Sequence, residues 1–339
     1  MAEERVRATI DLGAEGLRCG HFHVPISTND SAYGVVSVPI AVARKGEGPT
    51  VLLIAGVHGD EYEGPLVLTR LAQNLDHTLL NGRLIIVPAL NFPAFKAGHR
   101  NSPLDGLNLN RLFPGNIHGG PSEMIADYVA RILFSESDIV VDLHSGGQSL
   151  LYQPLAATHR TGDHDRDTRA LSALRAFAAP IGLVASDIDS YGLLDYTAES
   201  KGKLVITTEL GGGGGISPRA VAIGELGVRR ILAHFEVLEM DIGTEQEVPK
   251  ETRLMETQEA ESFVMAGIDG IYEPVIELGG DVSRGSLLGR IHGFDLLQTK
   301  PLPIESGVDG VLICRRAQGG VSAGDCVGLI ARDFEISGG

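Results

Sequence analysis

The sequence predicts an α/β fold, a mostly parallel mixed sheet with helices on both faces, followed by an all-β region. Three observations predict it. Aliphatic runs alternate with helical patterns up to residue 244, a polar stretch containing a proline spans 241 to 251, and short β-like runs broken by glycines fill 252 to 339. Strands that read as continuous apolar runs are buried on both faces, and in parallel sheets helices supply the cover.

In chain order, "TVLLIAG" (50 to 56) reads as a strand and "EGPLVLTRLAQNL" (63 to 75) as a helix. "RLIIVPAL" (83 to 90) is the next strand and "PSEMIADYVARILF" (121 to 134) the next helix. "DIVVDLHS" (138 to 145) and "KLVITTEL" (203 to 210) are strands on either side of a helical "RALSALRAFAAPIG" (169 to 182). "RAVAIGELGVRRILAHFEVLEM" (219 to 240) closes the α/β part as a helix, and "DIGTEQEVPKE" (241 to 251) has the composition of a linker. The region beyond it repeats itself. "AGIDGIYEPV" (266 to 275) is echoed by "SGVDGVLICR" (306 to 315), and "GGDVSRGSLLGRI" (279 to 291) by "GGVSAGDCVGLI" (319 to 330). Two similar hairpin units imply a small β-sandwich with an internal pseudo-twofold. The G-x-D-G and V-S-x-G patterns resemble lipoyl and biotinyl carrier domains, whose modified lysine sits in a turn between the halves. Lys300 occupies that place, but Pro301 follows it and the usual acid-lysine-small setting is missing. An unmodified structural or gating unit is therefore expected over a swinging arm.

Composition bounds the partners. A net charge of −16 repels nucleic acid and anionic membrane. No apolar run approaches the roughly 18 residues that span a bilayer. The beginning "MAEERVRATIDLGAEG" lacks a basic segment leading into an apolar one, so no secretory signal is read and a cytoplasmic location is the default. Cys19, Cys314 and Cys326 lie far apart, which disfavours both a disulfide framework and a thiolate metal site. A homo-oligomer such as a dimer stays open.

Polar residues gather where strands end, the place where open α/β sheets bind ligands. "AGVHGDEYEG" places His58, Asp60, Glu61 and Glu63 directly after the first strand. His144 ends "VVDLHS", Glu209 ends "ITTEL", and Asn91 follows "VPAL". A lone histidine at a strand end is more often a hydrogen-bonded structural residue than a ligand. Together the residues fit catalytic zinc, which takes three protein ligands, commonly two histidines and a glutamate, and keeps one position for water. His58 and Glu61, three residues apart, are expected to converge with His144 on one ion. Glu209 is expected to carry the proton from water to a leaving nitrogen; its alternative is an acid that caps a helix. Asp60 and Glu63 are expected in the first turn of the following helix, where acids meet the positive end of the dipole. Asp142 shares a strand face with His144, either to orient that ring or as a buried, paired acid. The glycine run 211 to 215 reads equally as a close-approach loop or a flexible connector.

In this order, "GVHGDEYEG", "GLNLNRLFPG", "VDLHSGG" and "TTELGGGG" resemble the succinylglutamate desuccinylase and aspartoacylase family of the zinc carboxypeptidase-like fold. That resemblance covers most of the chain and implies one Zn2+ held by His58, Glu61 and His144, with Glu209 as general base and acid. It also implies that Asn110 and Arg111 hold a substrate carboxylate through a bidentate fork, and that Arg100 supports the oxyanion. A surface salt bridge is the alternative for Arg111. Ten residues separate Arg100 from Asn110, a longer gap than aspartoacylase-like members are expected to have. The implied activity is hydrolysis of a small N-acyl amino acid. "HRNSPLDGLNLNRLFPG" and the β-rich tail look closest to the branch that removes acetate from N-alpha-acetyl-L-2,4-diaminobutyrate in ectoine degradation. N-acylaspartate or succinylglutamate deacylation and zinc carboxypeptidase activity are the alternatives, and a noncatalytic binding protein or carrier is a third class.

Overall fold

The structure, a computed structural model, describes residues 5–29, 31–186, 190–239, 251–257 and 259–334. The chain begins with β1 (Arg7–Ala8) and a long hairpin of β2 (Gly16–Thr28) and β3 (Ser31–Lys45). Then come β4 (Thr50–Ala55), α1 (Glu63–Asn74), β5 (Gly82–Val87), α2 (Phe92–Ala97), α3 (Pro121–Tyr128) and β6 (Ile139–His144). They are followed by β7 (Leu150–Tyr152), β8 (Leu155–His159), α4 (His164–Phe177), β9 (Ile181–Ala185), α5 (Leu194–Ser200), β10 (Leu204–Glu209) and α6 (Pro218–His234).

The sheet is mixed. Its centre, β5-β4-β6-β10, is parallel as expected, whereas β2, β3 and β5 pair antiparallel on one side and β10 with β8 on the other. Every residue of β4 and β6 is buried, so these strands carry apolar side chains to both faces. On one face Leu53, Val141, Leu143 and Ile206 pack with Leu68 of α1, Phe177 of α4 and Ile231 of α6. On the other, Leu52, Ile54, Val140 and Val205 pack with Ile125 of α3 and Leu194 of α5. Each fully buried aliphatic side chain contributes about 1.5–3 kcal/mol, so the strands that end at the candidate site are among the most firmly held parts of the chain.

Two helices end earlier than expected, the one read over 219 to 240 stopping at His234. The helix expected over 169 to 182 runs instead from His164 to Phe177, and Ile181 already belongs to β9. Ala178 takes a left-handed conformation (φ 57°) that ends α4, and the chain turns into a buried strand within three residues. The β2–β3 hairpin was not expected; β2 is largely half-exposed, and β3 is continuously buried only over 40 to 43. The linker expected at 241 to 251 falls almost wholly outside the described residues.

Beyond it lie β11 (Arg253–Glu256), β12 (Phe263–Met265), β13 (Gly270–Pro274), β14 (Asp281–Val282), β15 (Leu287–Gly293), β16 (Leu302–Glu305), β17 (Gly310–Arg316), β18 (Gly320–Val321) and β19 (Cys326–Asp333). The repeated sequences fold alike. β13, β14 and β15 correspond to β17, β18 and β19, and the units exchange strands reciprocally: β14 pairs with β17, and β18 with β13. A small core of Tyr272, Leu288, Ile291, Leu312, Val327 and Ile330 lies between them. This region is not a detached appendage. β11 pairs in parallel with β9 and antiparallel with β19, and β7 pairs with β17.

Candidate active site

The chain leaves β4 at Ala55 and reaches His58 and Glu61 before α1 begins at Glu63. A Cβ on Gly64 would lie 2.8 Å from both Leu143 Cβ and Leu143 O, so only glycine lets the first turn of α1 lie against the end of β6. His144 ends β6 and Glu209 ends β10, and the two are Cα partners across the parallel ladder. Residues in register share a face, and so do residues two apart on a strand. Asp142, His144, Thr207 and Glu209 therefore project to one side.

His58, Glu61 and His144 are all buried, and their ligand atoms lie within 4.8 Å of one another, a grouping that could hold a metal ion. Glu61 Oε1 lies 2.7 Å from His58 Nδ1 and Oε2 lies 2.8 Å from His144 Nδ1. The outer ring nitrogens are engaged as well: His58 Nε2 is 3.1 Å from Asn108 Oδ1, and His144 Nε2 is 2.9 Å from Asp142 Oδ2. Acceptors behind ligand imidazoles fix ring orientation and tautomer, so Asp142 sits where an orienting carboxylate would. The backbone N–H of Ser145 donates to Glu61 Oε2 at 3.1 Å, and Arg100 Nη1 donates to Glu61 Oε1 at 3.4 Å.

Electrostatics follow from burial and these contacts. Burial lowers the pKa of His58 despite Glu61 beside it. For His144 burial also opposes protonation, but the Asp142 and Glu61 carboxylates overcome it and hold the ring well above its ordinary range. Burial works against ionised Glu61 too, yet the two imidazoles keep it strongly acidic. Glu209 is pushed from 4.5 up to about 8, by burial first and then by Glu61. Unfolded Glu209 loses its proton near the ordinary value while the folded residue keeps its own until about 8, so its contribution to stability is full below the first and is lost as pH rises through the second. In chelator, wild type should therefore lose thermal stability relative to Glu209→Gln as pH rises from about 5 to about 8. Paired melts at unit pH steps measure this, and a constant difference would count against it.

His58, Glu61, His144 and Glu209 line one cavity of about 460 Å³. Arg100, Asn110, Arg111, Asp195 and Glu209 share it with the three clustered residues, and Thr257, Phe263 and Leu329 enter from the β-rich region. Two arginines thus face a pocket inside a protein of net charge −16. Leu194 N–H donates to Asn110 Oδ1 at 2.8 Å, and Arg111 Nη1 to the carbonyl of Asn110 at 2.6 Å.

The two acids expected in the first turn of α1 part company. Glu63 does open α1, fully buried, and burial raises its pKa. Asp60 precedes the helix instead of sitting in its first turn; it is turned toward Gln148, whose N–H donates to it at 2.9 Å. Asn91 caps α2 by accepting from Ala94 N and does not line the cavity. The glycine run is a hydrogen-bonded turn, not a loose connector. Gly211 to Gly214 all take positive φ, and the backbone of Gly211 and Gly213 bonds to Tyr152 and Leu150. Sequence reasoning missed Asn108, which stands inside the quoted "GLNLNRLFPG" as the first asparagine of N-x-N. It also missed Tyr152, which lines the cavity and whose phenol burial raises well above its ordinary pKa.

Residues 47–235 match the family model of the succinylglutamate desuccinylase/aspartoacylase catalytic domain. The chain is 40% identical to the N-alpha-acetyl-L-2,4-diaminobutyric acid deacetylase of Halomonas elongata, over 98% of this chain and 96% of that protein. The succinylglutamate desuccinylase of Burkholderia orbicola is 28% identical over 52% of this chain and 54% of its own length. Among solved structures, the product-bound ectoine utilization protein EutE (DoeB) from Ruegeria pomeroyi superposes with a TM-score of 0.92 at 39% identity, covering 97% of this chain and 99% of that one. A succinylglutamate desuccinylase/aspartoacylase from Rhodobacter sphaeroides gives a TM-score of 0.92 at 36% identity, covering 97% and 100%.

Proposed function

Because the chain belongs to the succinylglutamate desuccinylase/aspartoacylase family, we propose that it is a zinc-dependent amide hydrolase that converts N-alpha-acetyl-L-2,4-diaminobutyrate and water to L-2,4-diaminobutyrate and acetate. Near full-length identity of 40% to a deacetylase of that name carries the reading. The donor set suits zinc: two buried imidazoles and a carboxylate converge, and each imidazole has an oxygen acceptor behind it. Bound by His58, Glu61 and His144, zinc supplies a Lewis acid and lowers the pKa of water toward about 7.

The chain's own residues do the rest. Glu209 takes the proton of the attacking water as the new C–O bond forms at the acetyl carbon. It returns that proton to the amide nitrogen as the C–N bond breaks, so the amine leaves neutral. Arg100 pairs with the oxygen that gains charge in between. Arg111 grips the substrate carboxylate, with the amide donors of Asn110 beside it, since the oxygen of Asn110 is already used by Leu194 N–H. A cavity of about 460 Å³ favours a small substrate over the extended peptide of a carboxypeptidase. The catalytic part is taken as 1 to 244 and the β-rich part as 252 to 339. Reciprocal pairing of its two repeats supports a lipoyl-like scaffold for the β-rich part, with exposed Lys300 unmodified. A cytoplasmic enzyme of small-molecule metabolism follows from this reading.

The test is a zinc-loaded assay over acetyl and succinyl derivatives of diaminobutyrate, aspartate and glutamate, together with the carboxamide of the acetyl-diaminobutyrate. Acetyl-diaminobutyrate should be turned over fastest. Its carboxamide, which cannot form the charge-assisted pair with Arg111, should lose about 1.5–3 kcal/mol of transition-state binding. Faster turnover of acetylaspartate or succinylglutamate would overturn the substrate, and equal rates on acid and carboxamide would remove Arg111 from the site.

A further inference from the structure

The described residues lining the cavity include three carboxylates, Glu61, Glu209 and Asp195. Glu61 belongs to the buried cluster with the histidines, and Glu209 is the partner of His144 across the β6–β10 ladder. Asp195 stands apart from them. It lies in the first turn of α5, one residue after Leu194, whose N–H holds Asn110. The segment before it is fastened to the same loop: Phe113 N–H donates to Gly192 O at 3.1 Å, and a Cβ on Gly192 would come within 2.5 Å of the carbonyl oxygen of Arg111. An acid and an arginine are thus carried into one cavity by two backbone segments that touch.

We infer that Asp195 is the specificity residue that binds the cationic side chain of the substrate, so that Arg111 and Asp195 together grip a molecule bearing a carboxylate and an ammonium a few bonds apart. This inference rests on the substrate proposed above and adds a residue to it. In acetyl-diaminobutyrate the ammonium nitrogen is four bonds from the carboxylate carbon. Whatever binds the ammonium must therefore neighbour the group that binds the carboxylate, and of the three carboxylates Asp195 is the one carried by a segment that touches that of Arg111. Glu61 does not, because both of its oxygens face the histidines. Glu209 does not, because its proton work needs it at the reacting amide. The same carboxylate turns away substrates whose side chain ends in an acid, since like charges brought together in a cavity repel. Desuccinylation and deacylation of acidic amino acids would so be excluded by one side chain.

The measurement is a ratio. kcat/KM is determined for N-alpha-acetyl-L-2,4-diaminobutyrate and for N-acetyl-L-norvaline, in which a methyl replaces the ammonium, with wild type and Asp195→Asn. Asparagine keeps the oxygen that accepts from Tyr196 N–H at 2.8 Å, so the start of α5 retains its bond. Wild type should prefer the cationic substrate, and Asp195→Asn should cut the preference at least tenfold, mostly through KM. Asp195→Lys should go further and raise the relative rate on acetylaspartate. If wild type prefers the cationic substrate and both variants keep the same ratio, Asp195 is not the ammonium partner and the substrate stands. An equal loss on both substrates marks a structural role and overturns the inference. Absence of any wild-type preference for the cationic substrate overturns the substrate reading and this inference with it.

Discussion

Glu209→Gln should retain about one metal per chain and lose turnover by at least ~100-fold, the effect of removing a general base. Glutamine keeps the size of the side chain but has no basic oxygen. Its position at the end of β10, a ladder partner of His144 and outside the metal-ligand grouping, makes loss of metal the wrong expectation. Metal content and steady-state rates on one preparation separate the two effects. A variant with wild-type kcat would mean that another group moves the proton, and Tyr152, which also lines the cavity, would be the first to examine.

His144→Ala should show the other pattern, with metal content falling to a small fraction of wild type and turnover falling with it. In the proposed set three ligands converge on one site, and the variant removes one together with the Asp142 contact that fixes it. His58→Ala and Glu61→Ala should behave alike. Asp60→Ala is the control: Asp60 lies within the same loop, but its carboxylate accepts from Gln148 N–H and is outside the grouping. Elemental analysis decides the matter. Full metal in the His144→Ala protein would break the proposed ligand set, whatever its activity.

Much of this site was legible because its parts stand at strand ends. Apolar runs such as "TVLLIAG" and "DIVVDLHS" announce buried strands, and a polar residue that interrupts such a run at its end has few roles other than chemistry or capping. His58, Glu61, His144 and Glu209 were read that way, and they occur together in one cavity. Asn91 was read by the same rule and proved to be a helix cap, which shows how far the rule reaches. Asp60 and Glu63 looked equivalent in sequence. The backbone separated them by starting α1 at Glu63 and turning Asp60 toward Gln148.

By itself the sequence determined the class of the fold, the order of its central strands and helices, the internal repeat of the β-rich region and the identity of the clustered residues. Those features rest on short local patterns, periodicity within an element and polar residues at its end, which the chain carries wherever it goes. The tertiary structure alone decided which acids face the site. Asp142 points to His144, Asp195 enters the cavity from α5, and Thr257, Phe263 and Leu329 close it from a region more than a hundred residues downstream of His144. Such placements are set by how strands pair and helices dock over long separations. Burial and neighbouring charge then set their chemistry: the imidazoles hold the Glu61 carboxyl acidic, whereas burial pushes that of Glu209 up to about 8 until the positive charge of a bound metal would favour its ionised form.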